Sequence, residues 1–242
     1  MVARIALSTG GTGGHVFPAI CLAEELVKRG YHVSWCIDQR GEKYINPDAV
    51  KQPDKLIFNI AKGSGIIGAI SQFVTIFTST LKVLRSFVAC RPNLVVGFGG
   101  YTTAPVVVAA KLLGIPIVLH EQNAVLGKVN RWMARYAEIM ALGFEQTQRI
   151  PQGLKTVCVG NPVRADIMQL REKRYPVVGE KLKILIIGGS QGAALFSRVV
   201  PEAILLLPES LQSRIEITQQ ARQELLESTQ LAYQRLGVLA VV

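Results

Sequence analysis

The sequence predicts an α/β protein with parallel sheets, built as two similar halves of which the second is incomplete. Three observations predict it. Apolar strand-like runs alternate with stretches of helical periodicity along the chain. Two of those runs lead straight into glycine-rich turns that open a helix: Gly10-Gly-Thr-Gly-Gly-His15 follows Ala3–Thr9, and Gly188-Gly-Ser-Gln-Gly192 follows Lys183–Ile187. Finally, only 62 residues, 181–242, follow the start of the second series, against roughly 100–200 for an ordinary domain.

The elements follow in order. After the first turn, Val16, Ala19, Ile20, Ala23, Leu26 and Val27 recur at helical spacing, Pro18 suits a first turn and Gly30 ends the helix. Tyr31–Asp38 reads as a strand, and 41–62 as a loop with a short strand near Lys55–Ile60. A helix is expected from about Ile70 to Ala89, stopped by Arg91-Pro92. Asn93–Val96 is a buried strand leading into a third glycine turn, Gly97-Phe-Gly-Gly-Tyr101. Ala104–Leu113 is a helix closed by Gly114, and Ile115–Leu119 a strand ending in His120-Glu-Gln-Asn123. Lys128–Ala137 reads as a helix with Lys128, Arg131 and Arg135 along one face, a solvated face or one turned to lipid or diphosphate. Strand-like Thr156–Val159 precedes Gly160-Asn-Pro-Val-Arg164. The charged segment 165–180, with Pro176 and Gly179, is the linker between a first domain, 1–164, and the beginning of a second, 181–242. The chain stops in an apolar run, Val238–Val242, and the expectation is a sequence truncated within its second domain.

Composition narrows the function. An apolar content of 49% with 18% charged residues describes a globular chain. The excess of 27 basic over 17 acidic residues favours anionic partners. Aromatic residues make up only 7% and do not interleave with the basic ones, which argues against nucleic acid. Cys21, Cys36, Cys90 and Cys158 are scattered without a C-x-x-C pair, as in a reducing compartment, and no leader precedes the first strand; the expected location is cytoplasmic. Between Lys62 and Lys82 lie 19 uncharged residues. Their Ser, Thr and Gly content speaks against a membrane span. Two readings stay open: a surface helix packed on the sheet, or an interfacial patch with Ile66, Ile67, Ile70, Phe73, Val74, Ile76 and Phe77 in lipid and Lys82 and Arg85 near headgroups.

In a parallel sheet the loops after the strands share one rim, and ligands bind there. His15, Gly99, Tyr101, His120, Glu121, Asn123 and 160–164 all follow predicted strands, so they are expected to converge. Glycine turns with free amides at a helix start suit phosphoryl groups. Arg164 is a diphosphate ligand by type, and Ser190 with the amides of Gln191 and Gly192 forms a second cradle. Histidine is the side chain suited to proton transfer near neutral pH, so His15 is either a general base or a residue that positions its loop. His120 and Glu121, adjacent on a strand, point to opposite sides; an acceptor-binding or supporting role fits them better than a base and its orienter. No carboxylate pair or D-x-D ligand set points to a metal, and no cofactor is expected.

These residues also resemble those of the MurG family of peptidoglycan glycosyltransferases. The likeness rests on G-G-T-G-G-H-V-F-P-A at 10–19, G-F-G-G-Y at 97–101, H-E-Q-N at 120–123, G-N-P-V-R at 160–164 and G-G-S-Q-G-A at 188–193. It implies two Rossmann-like domains in the GT-B arrangement with a cleft between them, the second incomplete here. It implies transfer of N-acetylglucosamine from UDP-GlcNAc to the undecaprenyl-pyrophosphate intermediate lipid I, giving lipid II at the cytoplasmic face of the bacterial membrane with inversion at the anomeric carbon. By the same resemblance His15 is the base, Thr12, Gly13, Gly14, Asn123, Arg164 and Ser190–Gly192 meet the donor, and Gly99, Gly100 and Tyr101 meet the acceptor pyrophosphate. Ser197 stands where the family usually carries Asn, and the absent remainder would hold most donor contacts, so the fragment is expected to be inactive alone. Two rivals remain. A dinucleotide-dependent oxidoreductase would use Asp38 to hold a ribose, although Val16 occupies the third glycine position of G-x-G-x-x-G. A non-catalytic, membrane-associated sugar-nucleotide subunit would complete its site with another chain.

Overall fold

The computed structural model describes residues 2–45, 54–61, 65–174, 179–189 and 193–242. The chain divides into two compact units, Met1–Glu172 and Lys173–Val242.

In the first unit the order is β1 (Arg4–Thr9), α1 (Gly13–Lys28), β2 (His32–Ile37), α2 (Gln39–Glu42), β3 (Lys55–Ile57), α3 (Gly65–Ala89), β4 (Leu94–Gly97), α4 (Thr103–Leu112), β5 (Ile117–Glu121), α5 (Lys128–Met133) with a 3-10 turn behind it, β6 (Ile139–Leu142), β7 (Thr156–Cys158) and α6 (Ala165–Met168). The strands form one seven-stranded sheet, β3-β2-β1-β4-β5-β6-β7. Every pairing is parallel.

A sheet covered on two faces must bury successive residues of each strand in different cores. The strands obey this. Ile5, Leu7, Val33, Trp35 and Ile37 enter one core with Val16, Ala19 and Ala23 of α1. Ala6, Cys36, Ile117 and Leu119 enter the other, with Val83 and Phe87 of α3 and Val106, Val107 and Ala110 of α4. The chain winds outward from β1 in one direction, returns through β4 and continues in the other. The switch point therefore lies between β1 and β4, and the turns following these strands are the two N-terminal glycine turns.

Besides the short helices α2 and α6, which the sequence reading did not include, three differences bear on the site and on the apolar helix. Strand β6 was missed: Ile-Met-Ala-Leu lacks the β-branched run that marks a strand, yet Met140 and Leu142 are core residues. His120 and Glu121 are not past β5 but are its last two residues, paired with Ala141 and Leu142 of that missed strand. Helix α3 begins at Gly65 rather than near Ile70, and it is long and apolar enough to cross a membrane by length and composition. Its second half packs on the sheet side through Ser79, Thr80, Val83 and Phe87, whereas Ile66, Ile67, Ile70, Phe73, Val74 and Phe77 are exposed. The second half thus fits the packed surface helix, and the first half leaves an apolar face exposed. Lys82 donates from Nζ to the Ile57 carbonyl at 2.8 Å, so its ammonium is held against β3.

The second unit contains β8 (Leu182–Ile186), α7 (Ala193–Leu205), α8 (Glu209–Gln212), β9 (Ile215–Gln219), a 3-10 turn, α9 (Leu226–Arg235) and β10 (Leu239–Val241). Its strands form a parallel sheet ordered β10-β9-β8. Ile204, Ile215, Ile217, Tyr233 and Val238 make its core.

Candidate active site

At the switch point the two glycine turns touch. A Cβ on Gly10 would lie 2.3 Å from the Thr102 hydroxyl, and one on Gly100 would lie 3.0 Å from the Gly10 carbonyl oxygen. Gly100 also has φ +79°, which disfavours any side chain. Glycine is needed at both places for the backbones to approach. Gly14 differs: an added Cβ would meet nothing nearer than Thr12 Oγ1 at 3.9 Å. The fold has no packing reason for glycine there, and the surface it leaves bare is the first turn of α1.

That first turn has the features that suit an anion. Thr12, the residue before α1, is extended and gives no side-chain cap. Its carbonyl accepts from the amides of His15 and Val16, while the amides of Gly13 and Gly14 find no acceptor among the described residues. Unpaired amides at the start of a sixteen-residue helix carry partial positive charge. A second helix, α4, begins at Thr103, and the buried Thr102 hydroxyl before it is also without a partner among the described residues.

Between the turns is a cavity of about 100 Å³ whose walls include Gly11, Thr12, His15, Asp38, Arg40, Tyr101 and Thr102. Asp38 closes its floor. One carboxylate oxygen accepts from the amides of Gly11 (3.1 Å) and Gly41 (2.8 Å), the other from Arg40 Nε and Nη2 at 3.2 and 2.8 Å. Burial would raise the Asp38 carboxyl; the Arg40 guanidinium and the two amides outweigh it and hold it below the ordinary carboxylate value. With its oxygens so engaged, Asp38 is not poised to hold a ribose, which removes the structural basis of the oxidoreductase reading. A larger cavity of about 450 Å³ is walled by Leu22, Leu26, Val96 and Val118 and is mostly aliphatic. The smaller one carries the polar chemistry.

His15 stands at the mouth, half-buried, with Nδ1 3.1 Å from Gln122 Oε1. Gln122 is itself buried, its Nε2 lying 2.9 Å from His120 Nδ1 and 3.1 Å from the His120 carbonyl. The other nitrogen of His120 faces the Gly160 carbonyl at 3.1 Å. Burial pushes the His120 imidazole below its ordinary value, against the opposing pull of the Gly160 carbonyl and Glu121. Glu121, fully buried, accepts from the amide and Nδ2 of Asn123 through Oε1, and from the Gly127 amide and Asn130 Nδ2 through Oε2. Both nitrogens of His120 and both oxygens of Glu121 are thus taken by the protein. Both are held as supports of the rim, the second of the two roles expected for them, and His120 also lines the larger cavity. Adjacency on a strand sends them to opposite faces, and each face offers a full set of partners.

Arg164 is exposed, its guanidinium 5.5 Å from the ring centroid of Phe17, two residues beyond His15. The Gly160–Arg164 loop is fastened to the rim by Asn161 Nδ2, which donates to the Gln122 carbonyl at 3.1 Å. Asn123 and Tyr101 are exposed on the same rim. Thr12, Gly13, Gly14, His15, Gly99, Gly100, Tyr101, Asn123 and Arg164 therefore all fall at the strand-end rim of the first sheet. Ser190, Gln191 and Gly192 lie outside the described residues. Among the described residues there is no cluster of ligating side chains able to hold a metal ion.

Gln122 and Arg40 were missed as site residues. Gln122 lay inside the motif already singled out, but its neighbours carried the more familiar chemistry. Nothing in the sequence shows that Arg40 folds back onto the turn thirty residues earlier.

Residues 5–142 match the model of the glycosyltransferase family 28 N-terminal domain. A curated relative from Rhodospirillum centenum, named UDP-N-acetylglucosamine--N-acetylmuramyl-(pentapeptide) pyrophosphoryl-undecaprenol N-acetylglucosamine transferase, is 42% identical over 100% of this chain and 64% of its own length. A relative of the same name from Rhodospirillum rubrum is 39% identical over 99% of this chain and 62% of its own length. The crystal structure of Acinetobacter baumannii MurG superposes with a TM-score of 0.74 at 31% identity, over 99% of this chain and 67% of that one. The chain thus spans less than two thirds of the length of these curated relatives.

Proposed function

Because the chain belongs to glycosyltransferase family 28, we propose that it carries the acceptor-side half of an N-acetylglucosaminyl transfer from UDP-GlcNAc to lipid I, forming lipid II for peptidoglycan synthesis. The observation that carries this reading is the pairing of His15 with two abutting glycine turns at the sheet's switch point. Sugar transfer from a nucleotide needs two things: a base for the attacking hydroxyl, and a preorganised positive environment for pyrophosphoryl groups.

In this reading His15 accepts the proton of the acceptor hydroxyl as its oxygen attacks the anomeric carbon, and the bond from that carbon to the UDP oxygen breaks. A single displacement gives inversion. The amides of Gly13 and Gly14, with Thr12, Asn123 and Arg164, hold the donor diphosphate as it departs. Gly99, Gly100 and Tyr101 take the acceptor pyrophosphate, with His120 and Glu121 supporting the rim from inside. Arg164 suits its part by type, offering a planar fork of donors to phosphate oxygens.

The acceptor's polyprenyl chain requires a membrane surface, and the exposed residues Ile66, Ile67, Ile70, Phe73, Val74 and Phe77 of α3 supply an apolar face for it. We place the protein on the cytoplasmic face of the cell membrane as a peripheral enzyme, where lipid II supply would serve cell shape and division.

The test is product formation. The chain is assayed as it stands and after completion with the C-terminal segment of the Rhodospirillum centenum relative, using UDP-GlcNAc and a short-chain lipid I analogue. Transfer by the completed chain, lost in its His15→Ala form, supports the reading. A folded, completed chain that releases no UDP in the presence of acceptor refutes it.

A further inference from the structure

The hydrogen-bond chain behind His15 fixes where its proton sits, and each link follows from the one before. A carbonyl oxygen only accepts, so His120 Nε2, 3.1 Å from the Gly160 carbonyl, carries a hydrogen. His120 is buried, 4% exposed, and in the neutral ring the Nδ1 left without hydrogen must accept. The group facing Nδ1 at 2.9 Å is therefore the amino side of the Gln122 amide. A second acceptor, the His120 carbonyl at 3.1 Å, demands the same orientation. With the amino group pinned from two directions, the amide oxygen must face the opposite way, toward His15 Nδ1 at 3.1 Å. An oxygen there only accepts. His15 Nδ1 then carries the hydrogen, and in the neutral ring the lone pair is left on Nε2.

We propose that Gln122 is a positioning residue that sets the tautomer of His15, making Nε2 the nitrogen that receives the acceptor proton. The proposal rests on the reading of His15 as the base. Free histidine prefers its proton on Nε2, so the protein selects the less favoured tautomer, and the second atom of a ring nitrogen pair is controlled by the bond the first one makes. The ring is correctly turned for this: its Cδ2 edge, next to Nε2, lies 3.5 Å from the position a Cβ would occupy on Gly100. That edge faces the Gly97–Tyr101 turn and the cavity, while Nδ1 faces the buried Gln122. When Nε2 accepts the hydroxyl proton, the imidazolium keeps its Nδ1–H bond to a neutral amide. Gln122 thus orients the base without adding a negative charge beside the departing diphosphate, unlike a carboxylate at the same place.

The chain of support also explains why a histidine sits at the end of β5. His120 is both an acceptor for Gln122 and a donor to the 160–164 loop, so it couples the orientation of the base to the seat of Arg164.

The experiment is long-range ¹H–¹⁵N correlation on the 242-residue protein labelled in histidine, recorded well above the pH range where imidazoles titrate. The three histidines give separable patterns, assigned through His15→Gln and His32→Gln variants. The unmodified protein is expected to show His15 with hydrogen on Nδ1 and His120 with hydrogen on Nε2. Gln122→Ala is expected to move His15 toward Nε2–H. Gln122→Glu retains an oxygen for His15 and is expected to keep its tautomer while disturbing His120. In the completed chain, Gln122→Ala should lower kcat on the order of 10–100-fold with little change in KM for UDP-GlcNAc, because general base catalysis typically contributes about 10²–10⁴. An Nε2–H tautomer for His15 in the unmodified protein overturns the inference whatever the transfer assay gives, and needs no variant to fold. An unchanged Nδ1–H tautomer in folded Gln122→Ala overturns it as well. The predicted tautomers together with full transfer by His15→Ala would instead overturn the base reading.

Discussion

Replacing Glu121 by its isostere glutamine tests the internal wiring of the rim without requiring any ligand. The carboxylate accepts four hydrogen bonds, at 2.8–3.0 Å, from the amide and Nδ2 of Asn123, the Gly127 amide and Asn130 Nδ2. Glutamine offers one oxygen and one amino group in the same space. Whichever way it turns, an N–H pair of the protein meets the amino group instead of an acceptor. Turning Asn130 does not relieve this, because its Nδ2 also serves the His120 carbonyl at 3.0 Å. Net hydrogen bonds to a charged group contribute about 1.5–3 kcal/mol each. Asn123 is exposed and its donors can turn to water, so the loss is less than the full sum for two bonds. The expected destabilisation is about 2–4 kcal/mol, or roughly 4–16 °C in Tm for a unit of this size. Both tryptophans, Trp35 and Trp132, lie in the first unit, so their fluorescence during urea or thermal unfolding reports that unit alone. A Glu121→Gln protein within about 0.5 kcal/mol of the parent would refute the account, since it would mean that the four donors do not depend on a carboxylate.

The remaining predictions are simpler. Gly10→Ala drives a Cβ into the Thr102 hydroxyl and should cost about 1–3 kcal/mol, whereas Gly14→Ala should leave stability equal or raise it by about 0.4–1 kcal/mol while weakening pyrophosphate and UDP binding in titration calorimetry; equal effects on stability would contradict the packing argument. His120 is held by burial below its ordinary value of 6.5, so the unfolded chain binds its proton first: the stability it contributes is fully present above that pH and declines as pH falls through the lowered folded value. Urea unfolding across this range should show the decline, and His120→Phe should flatten it. Ile67→Ser with Phe73→Ser removes two exposed apolar side chains from α3, each worth up to about 1.5–3 kcal/mol when fully buried. Sedimentation with anionic vesicles should fall at least tenfold with Tm unchanged, and undiminished vesicle binding would rule out that face as the membrane contact.

Much of the fold was legible because its signals are local. The alternation of apolar residues along β1 and β2, Pro18 and Gly30 bracketing α1, and Arg91-Pro92 after α3 each act within a few residues, and each element formed close to where they place it. β6 was not legible, since Met140 and Leu142 are strand residues only because β5 and β7 flank them. The glycines gave the location of the rim for a similar reason: Gly10 and Gly100 mark places where two turns meet. They do not reveal which glycine is sterically required and which, like Gly14, is free of neighbours.

What the sequence determined by itself is the kind of chemistry: helix-opening glycine turns, a histidine behind the first of them, and an arginine-bearing loop on the same side of a parallel sheet. Such features depend on chain direction and handedness, which hold for any L-polypeptide of this pattern. What only the tertiary structure decided is the division of labour among adjacent residues. His120, Glu121 and Gln122 are neighbours of similar polarity in the chain. Two of them became buried supports and the third the partner of His15, because alternate residues of a strand face different cores and each finds only the donors and acceptors that packing has put there.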